Sequence, residues 1–250
     1  MNERPVAVVT GASSGIGAAS ARALAAAGYY VVCAARRIDK LKPLAAEIAG
    51  LALATDVTSD ESVAALAEAA GAKVAVLFNN AGGALGQDML ADSDITDWQR
   101  MFDLNVVATA RVTKALLPAI KAAQGTIIFT TSTAAEAPYE GGAAYCGAKA
   151  AERSLAGALR LELNGTPVRV CEIAPGMVHT AEFSLTRFHG DQIKADAVYT
   201  NVDHPLLAED IAECVRWVVT QPKHVVIERM VVRPVAQAAN QKVFRGRLWE

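Results

Sequence analysis

The chain has 250 residues, 52% of them hydrophobic, enough for one large α/β domain built around a buried sheet. Its formal net charge of -2 gives no electrostatic reason to expect nucleic acid or an anionic membrane, so a small molecule is the expected partner. Cys33, Cys146, Cys171 and Cys214 show neither CxxC pairing nor the density of a disulfide scaffold, and read as buried or partly buried free thiols.

Met1 to Pro5 lead straight into a strand-like run without the charged-then-apolar pattern of a secretion signal. The uncharged stretch Ala23 to Ala35 is interrupted by Gly28 and too short to span a bilayer. A cytoplasmic protein is expected. The first strand is predicted over Val6–Thr10, followed at once by Thr10-Gly11-Ala12-Ser13-Ser14-Gly15-Ile16-Gly17 and an Ala-rich helix from about Ala18 to Ala27. The three glycines permit a tight turn and close backbone approach, so that amides at the helix N-terminus face a pyrophosphate. Such a turn can serve packing alone, but the order strand, turn, helix points to dinucleotide binding.

The second strand, Tyr30–Ala34, runs on through Ala35 to Arg36-Arg37. A carboxylate at this strand end would bind a ribose 2'-hydroxyl. A neutral residue followed by arginine suits a 2'-phosphate, hence NADP(H) over NAD, with two solvated arginines as the plainer alternative. Further strands are predicted over Leu51–Thr55 and Val74–Asn79. Asp97–Leu117 reads as one helix, with Trp98, Met101, Phe102, Asn105 and Thr109 at helical spacing and Pro118 at its end.

The strand Thr126–Thr131 ends at Ser132, on the carboxyl edge where parallel sheets bind ligands. The Ser132 hydroxyl would donate to a substrate carbonyl oxygen, although Thr131 or Thr133 would also serve as donors. Tyr145 and Lys149 lie four residues apart on a helix that continues through Leu163, so both side chains share one face. A phenol normally titrates near ~10, and an adjacent ammonium stabilises its anion; Tyr145 is therefore read as the proton-transferring residue. Lys149 can also donate to ribose hydroxyls. This spacing alone is weak, because tyrosine and lysine meet by chance on many surface helices.

After the strand Arg169–Ile173, residues 177–207 lack strand character and read as a substrate lid. Val225–Val232 would add an edge strand, and Gln241 to Glu250 would be mobile or cross to a neighbouring subunit. The strand runs are nearly continuous in apolar residues, as a parallel sheet covered on both faces requires. The expected architecture is a doubly wound Rossmann fold of about seven mainly parallel strands, in one domain spanning 1–250. His179, His189, His204 and His224 show no metal spacing, and no metal is expected. Trp98, Trp217 and Trp249 read as core or interface anchors, and Cys146 points away from the face of Tyr145.

In order along the whole chain, Thr10-Gly11-xxx-Gly15-x-Gly17, Asp56-Val57, Asn79-Asn80-Ala81-Gly82, Asn105, Ser132, Tyr145-xxx-Lys149 and Pro175-Gly176 through Thr180 resemble the short-chain dehydrogenases/reductases. The resemblance implies a tetrad of Asn105, Ser132, Tyr145 and Lys149, with Asn105 holding a water that connects Lys149 to solvent. It also implies that Asp56 and Val57 contact adenine and that Asn79 to Gly82, with Ala81, floor the cofactor site. Pro175, Gly176 and Thr180 would hold the nicotinamide ribose and carboxamide, with Met177 and Val178 beside them. A homo-oligomer, tetramer or dimer, is expected on the same ground.

Two positions depart from family habit. Ser14 stands where many NADP-preferring members carry a basic residue, and Ala75 precedes Val76 where an acid is frequent. Arg36 must then carry most of the 2'-phosphate recognition, with Arg37 and the Ser13 or Ser14 hydroxyls. A narrower resemblance, through Glu182-Phe183-Ser184, Arg187-Phe188, Gly190-Asp191 and Arg233-Pro234-Val235, is to the NADP-dependent 3-hydroxy acid and serine dehydrogenase branch. It implies a small β-hydroxy acid, or its keto form, whose carboxylate meets a cationic or amide donor. Arg187 is the candidate donor, with an Arg187–Glu182 pair as the alternative. The reading is an NADP(H)-dependent oxidoreductase of alcohols or carbonyls. A catalytically silent NADP-binding regulatory protein and a nucleotide-sugar epimerase are the competing classes; the complete tetrad argues against the first, and the glycine spacing against the second.

Overall fold

The computed structural model describes residues 4–249, so the readings of Met1 to Glu3 and of Glu250 lie outside it. Seven strands form one sheet: β1 Val6–Thr10, β2 Tyr30–Ala35, β3 Leu51–Ala54, β4 Val76–Asn79, β5 Thr126–Thr130, β6 Arg169–Pro175 and β7 Arg229–Val232. Their order is β3-β2-β1-β4-β5-β6-β7 and every neighbouring pair is parallel. Alternate residues of each strand point to opposite faces, so Ala7 and Val9 enter one buried cluster while Val8 enters the other. Both faces are dry, which explains the apolar runs.

One face is covered by α1 Gly15–Ala26, α2 Ile38–Glu47 and α9 Ala208–Thr220, through Leu24, Leu41, Ile211 and Val215. The other is covered by α3 Asp60–Ala70, α5 Ala108–Ala123 and α6 Ala143–Glu162, through Leu66, Leu116 and Leu159. The chain builds outward from β1 to β3 and then returns to place β4 on the far side of β1. The loops that follow β1 and β4 therefore diverge and leave a crevice at the carboxyl edge. This is the doubly wound Rossmann arrangement expected from the strand pattern.

The predicted helix Asp97–Leu117 differs in two ways. It is split into α4 Ile95–Phe102 and α5 by a π-helical turn over Asp103–Val107. The Asn105 amide donates to the Met101 carbonyl at 2.8 Å, taking the acceptor that its own backbone amide would use in an α-helix. Pro118 does not end the helix: α5 runs on to Ala123 and closes with Gln124 at φ 56. Lys114 and Pro118 are both exposed, where water can take the carbonyl that proline leaves unpaired, while Leu116 and Ile120 are buried and hold the last turns to the sheet.

β7 is shorter than predicted, starting at Arg229 after a turn in which the Val225 amide donates to the Pro222 carbonyl. The lid segment contains α7 Phe183–Arg187 and α8 Gln192–Ala197. The C-terminal tail, expected to be mobile or to cross to a neighbour, packs on its own lid. Arg245 donates to the Thr200 carbonyl, Gly246 pairs with Val202, and the Leu248 amide donates to Asp203 at 2.6 Å. All four cysteines are free thiols, and burial pushes Cys33 and Cys171 up to about 12, where they are inert. Among the described residues no helix is long and apolar enough to cross a membrane.

Candidate functional site

A cavity of about 1040 Å³ opens over the carboxyl edge of the sheet. It is lined by Gly11, Ser13, Ser14, Gly15 and Ile16 after β1, Arg36 and Arg37 after β2, and Asp56 and Val57 after β3. Ala81, Gly82, Ser132, Tyr145, Lys149, Pro175, Gly176, Val178 and Thr180 complete the predicted set that reaches it. Thr10, Gly17, Asn79 and Asn105 do not line it; each holds a lining segment, or the sheet beneath, from behind.

Thr10 ends β1, and its hydroxyl accepts from the Asn80 and Ala81 amides at 3.0 Å each, joining the glycine turn to the loop after β4. Gly17 sits where a Cβ would lie 2.3 Å from the Gly11 carbonyl oxygen and 2.6 Å from the Asn80 amide nitrogen. Substitution Gly17→Ala is expected to force these apart, costing about 1–3 kcal/mol as overpacking does. The melting temperature should fall by roughly 2–4 °C per kcal/mol, and NADPH affinity should fall with it, as a thermal melt and a fluorescence titration would read. Ser14 is the N-cap of α1 yet makes no side-chain capping bond, and the first turn carries no acid. Its backbone amides are thus open to an anion, which suits a pyrophosphate.

Position 14 carries no cation, but Arg37 and Lys40 stand near the glycine turn. Arg37 donates to Ser13 at 2.8 Å and to Glu182 at 2.6 and 2.9 Å, and Lys40 donates to Glu182 at 2.7 Å. Ser14 adds a fourth bond to the same carboxylate, at 2.8 Å. These bonds, Arg37 foremost, hold the Glu182 carboxyl down to about 2. The clasp between lid and glycine turn therefore persists through neutral pH and is lost only as pH falls towards that value. Arg36 is exposed and, among the described residues, makes no hydrogen bond or ion pair. Asp56 accepts from the Thr58 hydroxyl and amide, at 2.7 and 2.9 Å, which hold its carboxyl below the usual range.

Asn79 is buried and donates to Thr113 at 2.9 Å, anchoring β4 to α5 rather than reaching the cavity. Asn105 spends both amide protons on the Met101 and Gly83 carbonyls and accepts the Gly83 amide at 3.1 Å. Its side chain thus clamps the Gly82–Gly83 floor. Gly82 has no room for a side chain, since a Cβ would lie 2.7 Å from Asn105 Oδ1 and 3.4 Å from Lys149 Nζ.

Tyr145 is 8% exposed at the start of α6, its ring edge-on to Phe183 of the lid at 6.0 Å. Lys149 Nζ lies 6.0 Å from the centre of that ring and donates to the Thr130 carbonyl at 2.8 Å. Of the three hydroxyls competing at the end of β5, Thr131 is committed to Glu172 at 2.7 Å and Thr133 to Asn240 at 2.7 Å. Ser132 accepts from the Ala134 amide at 3.1 Å and meets only a distant carbonyl, Pro175 at 3.4 Å, with its proton. Of these three, Ser132 is the hydroxyl without a side-chain partner.

Arg187 does not pair with Glu182, which is taken by Arg37 and Lys40. Its Nε donates to the Gly86 carbonyl at 3.1 Å, and its guanidinium lies 5.5 Å from the Tyr139 ring and 5.9 Å from the Tyr145 ring. Nη2 is buried without a hydrogen-bond partner. Tyr139, Gln237 and Asn240 also line the cavity and were not singled out in the sequence; Gln237 accepts the Met177 amide at 2.8 Å across 60 residues. No local spacing announces such contacts.

A family profile described as short chain dehydrogenase matches residues 5–187. An uncharacterized oxidoreductase of Mycobacterium tuberculosis is 54% identical over 235 residues, 94% of this chain and 92% of its own. An NADP-dependent 3-hydroxy acid dehydrogenase of Schizosaccharomyces pombe is 39% identical over 249 residues, 95% of each chain. The closed form of serine dehydrogenase complexed with NADP+ superposes with a TM-score of 0.89 at 36% identity, covering 93% of this chain and 96% of the other. The narrower resemblance read from the lid motifs is borne out by these last two. The chain belongs to the short-chain dehydrogenase/reductase family and is an oxidoreductase acting on alcohol and carbonyl groups.

Proposed function

We propose that the protein is an NADP(H)-dependent oxidoreductase of small 3-hydroxy acids, serine among them, and of the corresponding oxo acids. The observation that carries the substrate class is Arg187, whose buried Nη2 has no partner and whose guanidinium stands beside Tyr145. A carboxylate two carbons from the reacting hydroxyl would satisfy that donor while its hydroxyl meets Tyr145 and Ser132. Residues 177–207 act as the lid over this substrate, fastened by Glu182 and packed edge-on against Tyr145 through Phe183.

The glycine turn, the open amides of α1 and the Gly82 floor fit a dinucleotide, and Arg36 with Ser13 suits its 2'-phosphate. When bound, the nicotinamide supplies or accepts the hydride. Substitution Arg36→Ala is expected to weaken NADPH binding roughly 10- to 100-fold, the worth of one charged hydrogen bond, and to leave NADH binding within a factor of about two. Parallel fluorescence titrations with both cofactors check this. Exposed apolar side chains, Trp217, Val235 and Phe244 among them, support a homo-oligomer, and the four free thiols suit a reducing cytoplasm.

Initial rates of NADP+ reduction with a 3-hydroxy acid and with the neutral alcohol of equal length test the proposal. A clear preference for the acid supports it. Turnover of neutral alcohols alone would keep the oxidoreductase and discard the substrate class, and silence with every carbonyl and alcohol would restore the regulatory reading.

A further inference from the structure

One turn beyond Lys149 on α6 lies Glu152, 1% exposed, whose carboxylate accepts from Lys149 Nζ at 2.7 Å. Lys149 is itself 5% exposed. An acid so deeply buried is rare unless it is paired, and among the described residues Lys149 is its only hydrogen-bonded or ion-paired cation. We propose that Glu152 is the positioning residue of the site, keeping Lys149 an ammonium and fixing its side chain between the Thr130 carbonyl and the Tyr145 ring.

The geometry leaves Lys149 little choice. Two of its three N–H bonds are spent on Thr130 and Glu152, so one remains for Tyr145 or a ribose hydroxyl. An isolated ammonium at this depth would shed its proton to escape desolvation. Burial opposes the charge on Lys149, yet Glu152 and Tyr145 hold its ammonium above the usual lysine range. The next buried acid, Glu172 on β6, also faces Glu152, but its carboxylate is occupied by the Thr131 hydroxyl at 2.7 Å and by Arg229 and Arg153 at 3.6 and 3.8 Å. Its charge is compensated from the far side. Burial pushes the Glu152 carboxyl up to about 7 while Lys149 pulls it down, and among the described residues Glu152 is the acid ion-paired with Lys149.

The inference rests on Tyr145 and Lys149 serving the oxidoreductase, so its test reads the lysine directly as well as through turnover. Isotope-labelled lysine side-chain NMR of the cofactor-free protein should show Lys149, assigned by its loss in Lys149→Met, as an ammonium up to at least about pH 10. In Glu152→Gln the same signal should titrate roughly 2 pH units lower, the scale of a buried lysine without its counter-charge. Alcohol oxidation by that variant should fall increasingly below the wild-type rate above about pH 8, where its Lys149 loses the ammonium that the wild type keeps, whereas a purely structural defect would lower the rate equally at all pH. Glu152→Asp, which keeps the charge, should hold Lys149 charged and retain the wild-type pH profile.

A neutral Lys149 in the wild-type protein near pH 7, or an unchanged titration in Glu152→Gln, would overturn the proposal. The wild-type titration needs no variant to fold beyond Lys149→Met, which assigns the signal. A wild-type protein inactive with every substrate, but with Lys149 titrating as described, would defeat the oxidoreductase reading and leave the role of Glu152 standing.

Discussion

Substituting Tyr145 by phenylalanine is expected to lower turnover by about 10²–10⁴-fold, the range of a general acid–base group, while NADPH still binds. Tyr145 lines the cavity together with Ser132, the one hydroxyl of Thr131, Ser132 and Thr133 not bound to another side chain. In the proposed reaction the phenol would hand its proton to the substrate oxygen in the reducing direction and take the alcohol proton in the oxidising one, helped by the ammonium of Lys149. Ser132 would donate to the same oxygen and fix its direction. Phenylalanine keeps the edge-on contact with Phe183, so the fold and the lid should survive and the loss should fall on kcat. Stopped-flow and steady-state rates of the variant check this, and near-normal turnover would remove Tyr145 from the chemistry.

The second large effect is expected at Arg187. Replacing it by methionine keeps much of the buried stem but removes the charge. For a 3-hydroxy acid, kcat/KM should fall roughly 100-fold or more, corresponding to about 3 kcal/mol for a desolvated charge pair. A neutral alcohol of the same length should lose far less, because it never met the guanidinium. Arg187 is held for this task by Gly86, which both accepts from its Nε and donates its own amide to the Arg187 carbonyl at 2.8 Å. Equal losses for charged and neutral substrates would make Arg187 a packing residue of the lid, tied to Tyr139 and Phe188.

Much of this site was readable because its chemistry demands particular residue types at short spacing. Tyr145 and Lys149 share a helical face for that reason, and the glycine turn needs its strand and helix on either side. Other features depend on partners far apart in the chain. Glu182 and Arg37, 145 positions apart, meet only because the lid after β6 returns over the loop after β2. The sequence reading held Glu182 as the alternative partner for Arg187, five residues away, but the fold turns the two apart. Asn105 was expected to serve a water; its side chain clamps Gly83, a contact no periodicity displays. Pro118 was read as a stop signal, yet burial of Ile120 beyond it outweighed one lost backbone bond.

The central claim is that this cavity moves a hydride from the hydroxyl-bearing carbon of a 3-hydroxy acid. The most direct test is to incubate the protein with NADP+ and a 3-hydroxy acid deuterated at that carbon, then analyse the nicotinamide product by mass spectrometry. One deuterium should be transferred to the nicotinamide ring by the wild-type protein, with NADP+ far more readily than with NAD+. Reduced nicotinamide without deuterium, or no reduction with any 3-hydroxy acid, would contradict it.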